Sequence, residues 1–172
     1  MGPQGFQGIT SSIIPFSSGI TPIALSAVLL GTLGTGAGIG FGTAVPTVTI
    51  FGSTIILNTA ALLLNEAFNL PRGGTVTDIS ATFSVTAAVA LLSPVTITVQ
   101  LYAAGINSNS FSPIATALVT ITLTGALVIG TVASGVAHGL NISITSDTRL
   151  FASASTLILA SVTGNLSAGI TV

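Results

Sequence analysis

The feature that most constrains this chain is an alternation of apolar and hydroxyl-bearing side chains with a period of two. Val95, Ile97, Val99 and Leu101 are separated by Thr96, Thr98 and Gln100, with Tyr102 following. Ala117, Val119, Ile121 and Leu123 alternate with Leu118, Thr120, Thr122 and Thr124. The same beat runs through Ile79, Ala81, Phe83 and Val85 and through Leu140, Ile142 and Ile144, with Ser, Thr or Asn between. Successive side chains of a strand point to opposite faces, so each segment buries one face and turns the other toward Thr and Ser. Thr, Val and Ile also suit a pleated surface. Turn signals punctuate these runs at Pro71-Arg72-Gly73-Gly74, Ser93-Pro94, Gly105 to Asn109, Ser112-Pro113, Ser134-Gly135 and Ser146-Asp147. Short strands between such breaks predict an all-β, antiparallel sandwich or jelly roll. Thr59 to Phe68 is the one stretch with helical propensity, and its state stays open.

Charge narrows the function classes. Only 3% of the 172 residues are charged, where a soluble domain carries about 25%. The charged side chains are Glu66, Arg72, Asp78, Asp147 and Arg149, and lysine is absent. A nucleic-acid binder must neutralise many phosphates with Lys or Arg, and two arginines exclude that class. With no cysteine there is neither a disulfide framework nor a thiolate metal site.

The mean hydropathy of +1.01 raises the question of a membrane span, which needs about 20 consecutive apolar residues. Thr21 to Leu30 runs into Gly31, Thr32, Gly34 and Thr35, and Ile55 to Leu64 is cut by Asn58 and Thr59. Neither is flanked by Lys or Arg to fix an orientation, and Met1-Gly2-Pro3-Gln4 does not open a secretory signal. Membrane insertion is therefore not expected. Burial against sister chains is the simpler destination for so much apolar surface, because obligate interfaces resemble a core cut in half.

The first ten residues contain three Gly-X-Y triplets, Gly2-Pro3-Gln4, Gly5-Phe6-Gln7 and Gly8-Ile9-Thr10, and the period stops at Ser11. Collagen demands Gly at every third position because only Gly fits the axis of three polyproline-II chains. Residues 1–10 read as the stub of a collagen-like stalk and residues 11–172 as a globular head. The Gly34 to Gly42 run lacks the spacing of a dinucleotide fingerprint and the Lys of a phosphate loop. Glycine at alternate positions there strips one strand face and predicts close approach of another backbone.

Candidate chemistry is sparse. His138, the lone histidine, stands in a loop with Asp78 or Asp147 as conceivable partners, but no Gly-x-Ser-x-Gly elbow accompanies it. Paired carboxylates for glycoside hydrolysis have only Glu66, Asp78 and Asp147 to draw on, and the expectation is that these pair with Arg72 and Arg149. In particular, Asp147 and Arg149 fall on one face of an extended stretch and predict an ion pair. A calcium site wants more oxygen ligands than these provide. The Asn141-Ile142-Ser143 and Asn165-Leu166-Ser167 sequons are taken as unmodified. No enzyme activity, catalytic residue, metal or cofactor is expected.

Several stretches carry a resemblance. They are Gly8-Ile9-Thr10, Ile13-Ile14-Pro15-Phe16-Ser17-Ser18-Gly19, Thr21-Pro22-Ile23-Ala24-Leu25, the Gly31 to Gly42 region, Phe68 to Thr77 with Pro71-Arg72-Gly73, Val95 to Tyr102, and Thr148-Arg149-Leu150. In these the chain resembles the C-terminal domain of the BclB-type exosporium glycoproteins, collagen-like proteins of bacterial spore surfaces related to BclA. The resemblance covers residues 8–172. It implies a jelly roll like the tumour necrosis factor and complement heads, assembled as a homotrimer that nucleates or caps a collagen-like filament. It also implies localisation at the exosporium and, as partners, the stalk of the same chains and other exosporium or filament proteins. By analogy with such heads, Ala168, Ile170 and Val172 of the last strand are expected near the trimer core. The alternative reading is an adhesin or receptor-binding head of a surface or phage fibre.

Overall fold

The computed structural model describes residue 2 and residues 11–28, 33–49, 52–57, 66–156 and 161–172. The Gly-X-Y stub, apart from Gly2, and most of the Thr59–Phe68 stretch lie outside the described residues. Within them, every regular element is a strand. In chain order these are β1 (Ile13–Ser17), β2 (Ile23–Val28), β3 (Leu33–Ile39), β4 (Ala44–Thr49), β5 (Ile55–Ile56), β6 (Phe68–Asn69), β7 (Gly74–Val76) and β8 (Asp78–Val85). The second half supplies β9 (Val89–Ala90), β10 (Val95–Gly105), β11 (Ser110–Leu123), β12 (Ala126–Leu127), β13 (Val132–Ala137), β14 (Ile142–Ile144), β15 (Thr148–Thr156) and β16 (Ser161–Thr171).

Twelve strands form one antiparallel sheet in the order β13-β8-β16-β2-β3-β15-β10-β11-β5, with β1 on β16, β4 on β3 and β6 on β15. The sheet curls on itself, so that a front layer (β1, β16, β8, β13) packs over a back layer (β3, β15, β10, β11). Its interior is the apolar half of the alternation. Ile79, Ala81, Phe83 and Val85 of β8 and Val162, Leu166, Ala168 and Ile170 of β16 meet Val95, Ile97, Val99 and Leu101 of β10, Ala117, Val119, Ile121 and Leu123 of β11, and Leu150, Ala152 and Ala154 of β15. Full burial of each large member contributes about 1.5–3 kcal/mol. The all-β antiparallel sandwich read from periodicity is the observed architecture.

Two expected turns lie inside strands. Ser112-Pro113 falls within β11, where its ladder with β10 shifts register between Gln100 and Tyr102; such an irregularity accepts a residue without an N–H. Ser134-Gly135 falls within β13. A Cβ on Gly135 would run into the Thr120 carbonyl of β11, so this glycine lets the two ends of the curled sheet close on each other. The glycine run of β3 behaves as expected: a Cβ at Gly36 would stand 2.9 Å from the Ala154 carbonyl and 3.0 Å from Thr47 Oγ1.

The outward faces of the two layers differ. On the back layer the outward residues Thr98, Gln100, Tyr102, Phe151 and Ser153 are buried, and Tyr102 and Phe151 pack with Ile55, Leu57, Ala104 and Phe111 into a second core. Tyr102 and Phe151 meet edge to face with ring centroids 6.1 Å apart, and Phe111 lies 5.8 Å from Phe151. The Gly52 N–H bonds the Tyr102 hydroxyl, whose pKa is pushed up by burial. No described segment covers the front layer in the same way.

Candidate functional site

The uncovered front face is the candidate site, and strand register defines it. Ile13 pairs with Thr171, which pairs with Asp78; Pro15, Gly169 and Ser80 make the next row, continued by Val136 of β13. Ser17, Ser167, Thr82 and Ser134 follow, then Asn165, Ser84 and Val132. Each of these side chains is exposed or half-buried, while its neighbours along the strand point into the core. The face is therefore a lattice of small hydroxyls, a glycine, and aliphatics at its edges, with Ile13 at 75%, Val132 at 60% and Val136 at 55% exposure. Covering a hydroxyl costs a few kcal/mol at most if it finds a partner, whereas an unpaired charge costs far more. This face can be buried against another protein surface at low desolvation cost.

One corner of the face is ionisable. His138 follows β13 and its Nδ1 lies 2.8 Å from Asp78 Oδ1. The Thr77 hydroxyl donates to Asp78 Oδ2 at 2.7 Å. The Thr77 hydrogen bond first, and then His138, hold the Asp78 carboxyl below its ordinary range. Among the described residues this is the one pair within ion-pair distance. Ser12 and Val172 lie at the same corner and exchange backbone hydrogen bonds at 2.7 and 2.8 Å.

The sequence-predicted residues fall as follows. Ala168 and Ile170 lie on β16 as expected of that strand, but their side chains belong to the chain's own core, Ile170 being 1% exposed. Val172 is half-buried and packs against the same core. The outward residues of that strand are Ser167, Gly169 and Thr171, one residue out of phase with the expected set. Asp147 and Arg149 do not form the expected ion pair. Asp147 takes a positive φ of 61°, which turns the chain and breaks the extended geometry on which the pairing depended. Arg149 Nη1 instead donates to the Ser108 carbonyl at 2.8 Å and to Asn109 Oδ1 at 2.6 Å, with its guanidinium 5.2 Å from the Phe111 ring centroid. Glu66 is buried, accepts from Thr43 Oγ1 at 2.8 Å, and has its carboxyl pushed up by desolvation. The Asp78–His138 contact joins residues 60 apart in sequence, a pairing that local spacing does not mark.

No protein-family model matches the chain. In sequence it is 35% identical over 153 residues to "Collagen-like protein 1" of Acanthamoeba polyphaga mimivirus, an alignment covering 84% of this chain and 16% of that protein. Among solved structures it superposes on Eiger TNF from S. frugiperda with a TM-score of 0.42 and 7% identity, over 93% of this chain and 92% of the other. Over most of its length the chain is thus similar to one segment, 16% of the length, of a collagen-like protein.

Proposed function

We propose that this chain is the head of a collagen-like fibre, in which three copies associate through the front face and set the register of the stalk. The carrying observation is that face: a whole layer outward of the core, covered by no described segment of its own chain, with charge confined to the Asp78–His138 corner. Two further observations choose identical copies as what covers it. Gly-X-Y triplets precede Ser11 and work only as three chains. The Ser12–Val172 hydrogen bonds lie at the rim of the face, so three chains joined by a stalk ahead of Ser12 would present their front faces to one another. The similarity to a collagen-like protein supports the same reading. Residues 1–10 are then the end of the stalk and residues 11–172 the head, with a structural rather than catalytic role. Light scattering on the purified protein tests this: three times the protomer mass of 16.8 kDa is expected, and a stable single chain overturns it.

The finer placement, on a bacterial spore surface among other exosporium or filament proteins, is part of the proposal. It is supported by the resemblance of Ile13-Ile14-Pro15-Phe16-Ser17 and Pro71-Arg72-Gly73 to exosporium heads. Antibody labelling of intact spores of the source organism tests it, and labelling confined to another compartment would reject it. A second reading, an adhesive tip, is favoured by Ile20 (97% exposed), Leu92 (105%) and Ile129 (72%), which sit in loops at the end of the front layer away from Ser12 and Val172. Binding of the isolated protein to glycan arrays or cells, lost on Leu92→Ser and Ile129→Ser, distinguishes it.

A further inference from the structure

The turn between β3 and β4 bridges two strands that pair elsewhere, β1 with β16 and β6 with β15. On one side it is bonded to β1 through the backbone: the Ser17 N–H donates to the Gly40 carbonyl at 2.8 Å and the Gly42 N–H to the Ser17 carbonyl at 2.9 Å. On the other side it meets the chain entering β6 through side chains. The Thr43 hydroxyl donates to Glu66 Oε1 at 2.8 Å, and the Phe41 ring lies edge to face on Phe68 at 5.6 Å while stacking on Phe16 at 5.4 Å. We propose that Glu66 is a proton-closed clasp for this seam: with its proton on, the carboxyl fastens the chain entering β6 to the turn, and its ionisation loosens that side and uncovers the contact between Phe41 and Phe68.

The seat is built for a neutral carboxyl. Glu66 is 3% exposed, and a Cβ on Gly40 would collide with Oε2, so that oxygen rests against bare backbone. It has no hydrogen-bond partner. The Thr43 hydroxyl favours the ionised form, but burial outweighs it and holds the carboxyl above its ordinary 4.5. A buried carboxylate needs a cation or several donors, and the elements around it supply neither. Gly40 to Thr43 of the turn, Phe16 and Ser17 of β1, and Ala67, Phe68 and Asn69 carry no titratable group. From β15, Arg149 stands opposite Asn69, but its guanidinium is bonded to Ser108 and Asn109. Tyr102, which shares the second core with Ala67, accepts from the Gly52 N–H. Asp78, His138 and Val172 gather at the Ser12 end of β1, the length of that strand away from Ser17.

The linkage has a definite sign. In the closed seam the proton stays on Glu66 up to the raised value, whereas in the opened seam water solvates the carboxylate and it ionises near 4.5. Opening therefore releases a proton between those two values, and the seam loosens as pH rises. Beyond the clasp, β6 is held by a two-residue ladder to β15 and by the bonds of Leu70 to Thr148 and Asp147. So short an element can part locally while the core stays folded.

The test is hydrogen exchange of the full chain between pH 4 and 8, read by mass spectrometry and corrected for intrinsic base catalysis. Corrected exchange at Phe68 to Leu70 should rise by up to about tenfold per pH unit above 4.5 and then level off. The amides of β8 and β16, and that of Gly42, should not follow it. Glu66→Gln should make exchange at Phe68 to Leu70 slow and independent of pH. Thr43→Val, at an exposed position, removes the bond that favours the ionised form and should move the levelling to higher pH, which decides the matter even if Glu66→Gln fails to fold. Exchange at Phe68 to Leu70 that ignores pH, a change shared equally by β8 and β16, a Glu66→Gln chain that keeps the slope, or a Thr43→Val chain with the parent's profile overturns the clasp.

Discussion

A charge placed at the centre of the front face separates assembly from folding. Ser167 is exposed, points outward from β16, and stands in one row with Ser17, Thr82 and Ser134. Ser167→Asp leaves the backbone pairs to Thr82 and Ser17 intact and touches no core side chain, so the protomer should change in stability by only about 0.5 kcal/mol. In an assembly that buries this row, each copy instead carries an unpaired carboxylate away from water, a cost of roughly 3–5 kcal/mol. Three such charges in a trimer raise the concentration for half-assembly by roughly three to five orders of magnitude. Light scattering at micromolar concentration should then return the protomer mass, while circular dichroism and the melting transition show a folded chain. Ser167→Thr serves as the control and should assemble like the parent. A Ser167→Asp protein that still forms trimers with an unshifted midpoint refutes the reasoning. Ile170→Asp would be a poor substitute, because a carboxylate at a position 1% exposed within the protomer unfolds the chain whether or not copies associate.

Three other outcomes follow from the interior. Burial raises the Glu66 pKa above its ordinary 4.5, so the folded state is penalised once the carboxyl ionises; the Glu66 contribution to stability is fully present below 4.5 and is lost as pH rises through the raised value. Glu66→Gln should remove that decline, seen as a higher Tm at pH 7 and no gain at pH 4; equal pH profiles would count against it. Gly135→Ala drives a Cβ at the Thr120 carbonyl and should cost about 1–3 kcal/mol by prising β13 from β11, measured by chemical denaturation. Arg149→Lys gives up the planar group that bonds Ser108 and Asn109 and lies against Phe111; a loss of about 1 kcal/mol and faster proteolysis near Ile106 to Asn109 are expected.

The interior was legible in the sequence because the alternation carries it directly. Every inward residue of β8, β10 and β11 named above is one that the period of two marks as apolar. The order of strands was not legible, since pairing β16 with β8 and β15 with β10 joins segments far apart in the chain. Local spacing carries no information about such partners. The face of β16 was missed for a related reason. In Ser167-Ala168-Gly169-Ile170-Thr171 the apolar phase is that of Ala168 and Ile170, and an interface expectation followed apolarity. The protomer's own core had first claim on those side chains, leaving the hydroxyls and Gly169 outward. Asp147 shows a third limit, since a single left-handed residue reverses a same-face argument that assumes extended chain.

The two outward faces also show what apolarity alone does not decide. The back layer carries Tyr102, Phe111 and Phe151 outward, and their area is covered by Ile55 and Leu57 of the same chain. The front layer offers no outward ring on β1, β8, β13 or β16, only Ser, Thr, Gly, Asn, Pro and branched aliphatics. Such a face has few long side chains to immobilise, so association costs little conformational entropy, but it also gains little per residue compared with a surface of aromatic anchors. A modest contact of this kind becomes durable when the copies are already held together, because tethering turns the encounter into an intramolecular event at high effective concentration. A triple-helical stalk entering at Ser12 would supply that tether at the rim of the face it needs to close. In the converse direction, the closed heads would hold three stalk segments in register. On the proposed reading each half would supply the proximity that the other lacks, which would account physically for a chain so poor in charge carrying Gly-X-Y triplets.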